Sequence, residues 1–292
     1  MAITRRMLLV GGAAAPVAWA VASAADATTV PSWRSHPLTS TRGVILLTGM
    51  RAGTARALSG TTVVSTSTIV DGSAILHIPV SAGATRTVKV IAPSYSAWVP
   101  VRCNATALHK SPWIFVNKRH RLASTFAPSP LKTVSGYPLR SDAATAYLHM
   151  QSAARNAGYE LSLTSGYRSY QTQVATYDYW VRVDGKAEAD RVSARPGFSE
   201  HQTSLAMDVI RPDNYCTLES CFGSTGLGRW IAANCHRFGF IVRYPAGEES
   251  VTGYAYEPWH LRYLGGPMSS DYHARHATTL ESYFDFPAAP TY

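Results

Sequence analysis

His201 and Asp208 stand seven positions apart in Ser199-Glu200-His201-Gln202-Thr203-Ser204-Leu205-Ala206-Met207-Asp208, and a second histidine closes the tetrad Glu257-Pro258-Trp259-His260. Two imidazoles and a carboxylate are borderline-to-hard ligands that suit Zn²⁺ and leave one coordination position for water. Glu257, three residues ahead of His260, is the spare carboxylate that metal-assisted hydrolysis needs as a general base. Arg168, in Ser165-Gly166-Tyr167-Arg168-Ser169, adds a cation for an anionic group. Together these residues form a complete hydrolytic set.

Each has a plainer explanation when taken alone. A lone His201 is more often a structural or surface histidine. Asp208 is harder to dismiss, because Leu205, Met207 and Val209 alternate with Ala206 and Asp208 in a strand pattern that aims the carboxylate at one face. Burying it without a charge partner or a metal is expensive. Glu257 precedes a proline, which disfavours helix there. The Glu-x-x-His spacing therefore belongs to a turn or strand entry, not to the helical face of His-Glu-x-x-His zinc peptidases. Arg168 is either a salt-bridge partner or an anion binder at a strand end.

The elements that must position these groups fall in the second half of the chain. From about Pro112 the pattern predicts helices over 141–158, 170–183 and 225–238, with strands at 161–164, 205–209, 240–242 and around 259–263. Strands mixed with helices and long loops argue an α+β fold, a small mixed or antiparallel sheet with flanking helices over residues 112–285. Residues 43–105 read differently. β-Branched runs separated by Gly, Asp and Ser predict a small all-β, sandwich-like domain without chemistry of its own. In its 75–80 run, alternation suits a strand with one buried face, His77 on the surface. Residues 28–42, rich in Ser, Thr and Pro, read as a linker. Residues 1–27 read as an export signal. Arg5-Arg6 precede an apolar run too short to span a membrane, and small-residue cleavage sites follow. The paired arginines resemble a twin-arginine signal. The mature protein is therefore expected outside the cytoplasm, secreted, with no membrane span after signal removal.

The chain has 292 residues, 46% of them apolar and 15% charged, the profile of a packed protein, with a net charge of +9. That surplus suits anionic partners such as nucleic acid, anionic lipid or anionic wall polymer, with an unspecialised basic secreted surface as the plainer reading. No basic run interleaved with aromatics is present, which argues against nucleic acid. The four cysteines suit disulfides in an exported protein. Cys216 and Cys221 are near enough to staple a loop, leaving Cys103 with Cys235 to tie the two domains together.

These residues resemble a known family. Val116-Asn117-Lys118, the run from Leu163 to Gln173 (with Ser-Gly-Tyr-Arg-Ser), Arg195-Pro196-Gly197-Phe198-Ser199-Glu200-His201-Gln202, Leu205-Ala206-Met207-Asp208, Gly239 to Pro245, and Glu257 to Tyr263 resemble the VanY-type zinc D-alanyl-D-alanine carboxypeptidases, LAS-type peptidoglycan metallopeptidases of bacterial cell walls. The resemblance implies that His201, Asp208 and His260 ligate zinc, that Glu257 deprotonates water, and that Arg168 stabilises the oxyanion. It implies that Ser199 and Gln173 contact the substrate, the terminal D-Ala-D-Ala bond of a peptidoglycan stem peptide. An endopeptidase or an L,D-carboxypeptidase of the same fold is the alternative, and an inactive wall-binding protein a lesser one. Ser204 departs from the family, which often has Gly there; a backbone requiring positive φ would alter local geometry.

Three other motifs compete weakly. Ser129-Pro130-Leu131-Lys132 has the Ser-x-x-Lys spacing of serine carboxypeptidases, but Val134 follows Lys132-Thr133 where that class has Gly. Gly223, Gly226 and Gly228 lack the Lys-Ser/Thr of a phosphate loop. His273 and His276 have no third ligand nearby.

Overall fold

The computed structural model describes residues 30–292, so the export-signal segment lies outside the described residues. Seven strands come first: β1 (Ser32–Pro37), β2 (Arg42–Thr48), β3 (Thr54–Ser59), β4 (Thr62–Thr68), β5 (Ala74–Pro79), β6 (Thr85–Ala92) and β7 (Tyr95–Arg102). They form two antiparallel sheets, ordered β1-β2-β5 and β4-β3-β6-β7. Ile45, Leu47, Leu76 and Ile78 from the first sheet meet Ala55, Ala57, Val88, Val90 and Val99 from the second. This is the sandwich that β-branched runs with intervening turns produce.

Two expectations need correcting here. The stretch read as a linker carries β1, which pairs with β2 along its whole length from Ser32↔Thr48 to Pro37↔Gly43. In the first sheet β2 and most of β5 are also buried on both faces, whereas the first half of β1 is exposed. Val44, Leu46 and Ile75 point away from the sandwich and pack with Trp113, Phe115, Ile241, Leu264 and Phe284 of the following body. Each such side chain is worth roughly 1.5–3 kcal/mol when fully buried, so the β layer is fused to its neighbour. A strand packed on both sides reads as a continuous apolar run, as Val44-Ile45-Leu46-Leu47 does. His77 is accordingly half-buried at this junction, and burial holds it down at about 4.

The remainder comprises α1 (Ala105–Lys110), the hairpin β8 (Leu131–Val134) and β9 (Tyr137–Arg140), α2 (Ser141–Asn156), β10 (Ser162–Ser165), α3 (Tyr170–Val192), β11 (Ala206–Ile210), α4 (Gly226–Asn234), β12 (Phe240–Tyr244), α5 (Glu249–Thr252), β13 (Glu257–Tyr263), α6 (Gly266–Ala274) and α7 (Leu280–Tyr283). The central sheet runs β10-β11-β13-β12, antiparallel throughout. Its core face sends Met207, Val209, Leu261 and Phe240 against Tyr147 and Met150 of α2 and Ile231 of α4. α3 runs on to Val192 and is broken at Gly185, whose φ of +78° suits glycine. The third expected helix ends at Asn234 and tightens into a 3₁₀ turn over Cys235–Phe238.

Cys216 and Cys221 are bridged. Cys103 and Cys235 are both free and buried, each in a different apolar cluster, so the interdomain disulfide is not formed. Among the described residues no helix is long and apolar enough to cross a membrane.

Candidate metal centre and active site

The face of the central sheet opposite α2 and α4 carries the polar groups. Alternation decides this: Met207 and Val209 enter the core, so Asp208 between them points the other way, and Leu261 does the same for His260. Asp208 and His260 are directly opposite one another in the β11–β13 register. His260 Nδ1 is 3.2 Å from Asp208 Oδ1. His201 reaches the same spot from the 3₁₀ turn Glu200–Thr203, its Nε2 3.3 Å from Asp208 Oδ2. Ligand atoms of the three residues all lie within 4.8 Å of one another, and all three side chains are buried.

The surroundings fix the His201 ring and place a carboxylate beside the outer nitrogen of His260. His201 Nδ1 lies 2.7 Å from the carbonyl oxygen of Gly166, so a proton there donates and Nε2 keeps its lone pair for the centre. Gly166 must be glycine, because a Cβ would sit 2.7 Å from the Pro138 carbonyl. On His260 the outer nitrogen, Nε2, faces Glu200 Oε2 at 3.5 Å. Glu200 is in turn held by Arg243 at 2.9 Å and Arg262 at 2.8 Å, both fully buried, and Arg243 also pairs with Glu281. Burial works against the Glu200 carboxylate, but the two guanidiniums hold it below the usual range. Sequence reasoning gave Glu200 no role; its place beside His201 was the only signal. Arg243 and Arg262 stand at alternating positions of β12 and β13 among apolar residues, a second trace of a charged cluster behind the site.

Burial lowers His260, yet Asp208 and Glu200 on its two sides push it up to about 9. Burial lowers His201, with Arg168 acting in the same direction. Asp208 Oδ1 is buried without a hydrogen-bond partner among the described residues. A buried carboxylate oxygen left open between two oriented imidazoles fits a divalent cation, and the nitrogen and oxygen donors suit zinc.

Glu257, at the start of β13, places Oε2 3.6 Å from His260 Nδ1. Burial, with Asp208 adding, pushes its carboxyl up to about 7, the range a general base needs. Arg168 follows β10, with an Nη 3.8 Å from Asp208 Oδ2 and bonded at 3.1 Å to Ser165 Oγ. Arg168, Glu200, His201, Asp208, Glu257 and His260 line one cleft of about 530 Å³, whose walls include Trp180, Tyr244, Tyr254 and Trp259.

Ser199 lines the cleft too, while its Oγ accepts from the His201 amide at 3.3 Å. Gln173 does not face the cleft. It is fully buried, its Oε1 accepts from Arg168 Nε at 3.0 Å, and its Nε2 donates to the Ala194 carbonyl at 2.7 Å. The substrate contact expected of it is replaced by a bond that aims Arg168. Ser204 adopts φ +55° as the cap of the 3₁₀ turn, so serine occupies the left-handed backbone there and the His201 loop closes without glycine. Ser129 and Lys132 are exposed and lie outside the cleft, and His273 stacks on His236 at 3.6 Å, away from the centre.

The profile of the VanY family, described as D-alanyl-D-alanine carboxypeptidase, matches residues 136–266, the stretch that holds Arg168, Gln173, Ser199, His201, Asp208, Glu257 and His260. The LdcB LD-carboxypeptidase, from a structure concerned with peptidoglycan recognition, is 39% identical, with a TM-score of 0.56 over 61% of this chain and 87% of that one. This chain belongs to the VanY family. The Bacillus subtilis protein YodJ is 41% identical over 180 residues, 58% of this chain and 66% of YodJ. The vancomycin-resistance D,D-pentapeptidase VanY, solved as a variant in complex with Zn(II), is 29% identical, with a TM-score of 0.52 over 58% of this chain and 97% of that one. The VanY match begins at residue 136, so β1–β7 lie outside it.

Proposed function

We propose that the protein is a zinc-dependent carboxypeptidase that removes the terminal D-alanine from peptidoglycan stem peptides. One observation carries the reading: His201, Asp208 and His260 converge on a point that Glu257 and Arg168 flank within a single cleft. A zinc ion held by the three ligands would polarise the scissile carbonyl and acidify the attacking water. Glu257 takes the proton from that water and later delivers it to the departing amine nitrogen, as its buried carboxyl is set to do. Arg168, aimed by Gln173 and Ser165, pairs with the negative charge that grows on the carbonyl oxygen. Trp180, Tyr254 and Trp259 give the cleft the apolar walls that exclude competing water.

A second reading has specific support. LdcB, an LD-carboxypeptidase, is 39% identical to this chain against 29% for the VanY pentapeptidase, which favours cleavage of an L,D bond to the last D-alanine. Muropeptides digested with the purified protein and weighed by mass spectrometry test both. A pentapeptide stem shortened by one alanine supports the D,D activity, a tetrapeptide shortened by one supports the L,D activity, and opened cross-links identify an endopeptidase. Intact muropeptides at full zinc loading would overturn the enzymatic reading.

The substrate lies outside the cytoplasm, and we infer export through the N-terminal segment. The bridged Cys216 and Cys221 support an oxidising location.

A further inference from the structure

The surplus charge of this protein is not spread evenly. Between Val30 and Asn104 the chain has seven Lys/Arg and one acidic residue, Asp71, a balance of +6 out of the whole chain's +9. The catalytic body is close to neutral by comparison. Like charges gathered on a small layer repel one another, and an anionic partner relieves that repulsion.

Among the described residues, none covers one face of this layer. The four-stranded sheet β4-β3-β6-β7 buries Val88, Val90, Val99 and Val101 inward, and its other side faces solvent. On that side the register lines up Val63↔Leu58, Leu58↔Lys89 and Lys89↔Trp98 as one row across all four strands. At about 4.8 Å between strands the row is roughly 14 Å long, the length of a few sugar rings. Trp98 is 62% exposed and Val63 48%. The adjacent row pairs Arg56 with Ile91, and Arg102 lies further along β7 on the face that carries Trp98. Trp98, Val63 and Ile91 together form an exposed apolar patch bordered by cations, the kind of surface that marks an interaction site.

We propose that this face binds an anionic polysaccharide, with a sugar ring stacked on Trp98 and the polymer's phosphate or carboxylate groups paired with Lys89, Arg56 and Arg102. A flat sheet with a single aromatic platform suits a ring-bearing chain lying across the strands. The choice of a wall-linked polymer rests on the peptidase reading, since such a polymer is attached to the material whose stems the cleft would cut. The layer would then hold the enzyme where its substrate is concentrated.

The test is co-sedimentation of the full chain with insoluble cell-wall sacculi carrying their anionic polysaccharide, and with the same sacculi after that polymer is stripped. Binding should be strong to the first, weak to the second, and should fall as salt rises. Trp98→Ala and the double variant Lys89→Glu/Arg56→Glu should each bind at least tenfold more weakly while hydrolysing a small soluble stem peptide at the parental rate. If either proves misfolded, Arg56→Gln with Arg102→Gln, both exposed positions, carries the test. Unchanged binding in these variants, or equal binding to stripped sacculi, would overturn the proposal. So would a preference for duplex DNA or phosphatidylglycerol vesicles over the polysaccharide. Binding needs no turnover, so the two readings separate. Polymer binding without peptide hydrolysis defeats the peptidase reading alone, and hydrolysis with surface-insensitive binding defeats this one alone.

Discussion

Glu200 Oε2 sits 3.5 Å from His260 Nε2, on the side of the ring that faces away from Asp208. The two atoms make no close hydrogen bond, but the carboxylate favours a proton on Nε2, which leaves Nδ1 facing Asp208. Replacing such an outer partner typically costs about ten- to a hundredfold in metal affinity. Glu200→Gln should lose zinc affinity in that range while His201, Asp208 and His260 remain in place. A competition titration with a chromophoric chelator measures it, and wild-type affinity in this variant would remove Glu200 from the site.

Glu257 is close to the metal position but outside the ligand set. Glu257→Gln should keep full zinc content and lose about a hundred- to ten-thousandfold in turnover. His201→Ala should instead lose the zinc itself. Metal analysis beside a D-alanine release assay distinguishes the two, and a Glu257→Gln protein with normal turnover would contradict the role assigned to it.

Gln173 acts through Arg168. Gln173→Leu should lower kcat with zinc retained, and combining it with Arg168→Lys should cost little beyond Arg168→Lys alone. Lysine cannot reproduce the planar fork that Gln173 and Ser165 hold. A double-mutant cycle reads the coupling directly. Strictly additive losses would mean that Gln173 serves something other than the guanidinium.

Acid should loosen the junction between the β layer and the catalytic body. His36 packs edge-on against Trp113 with ring centres 4.7 Å apart, and burial, with Arg140 and Arg34 adding, holds it down at about 4. His77 is held at about 4 by burial, with Arg42 and Arg275 adding and Asp285 opposing. Both values lie below the ordinary value of about 6.5 in an unfolded chain. The unfolded state therefore takes up protons first as pH falls. Stability should be level above about pH 6.5 and decline towards pH 4, by at most about 1.4 kcal/mol per pH unit for each histidine. Denaturant titrations at several pH values, repeated on His36→Phe and His77→Gln, should show the slope shrinking with each substitution. An identical slope in the double variant would place the acid sensitivity elsewhere.

The centre was more legible than the fold around it, for a physical reason. Asp208 stood out because a carboxylate alternating with Met207 and Val209 has no cheap place in a strand, and the structure puts it opposite His260. Local alternation carries that information. Glu200, Arg243 and Arg262 are far apart in sequence, and their mutual pairing exists only after three elements have packed. Gln173 shares its place in the motif with residues that could face either way, and only the fold decides. β1 was hidden because Ser32-Trp33-Arg34-Ser35-His36-Pro37 has a linker's composition, and strand formation there comes from pairing with β2, not from propensity. Counting cysteines in pairs misled for Cys103 and Cys235, which each fill an apolar cluster as small hydrophobes.

Val44, Leu46 and Ile75 share one apolar cluster with Trp113, Ile241 and Phe284. An enzyme on a flexible tether sweeps a volume and cuts whatever drifts through it. This one has no swivel between its β layer and its cleft, so anything gripping the layer sets the address and bearing of the cleft in one act. Cutting would then fall at a constant offset from each point of attachment, leaving a spatial pattern instead of a random one.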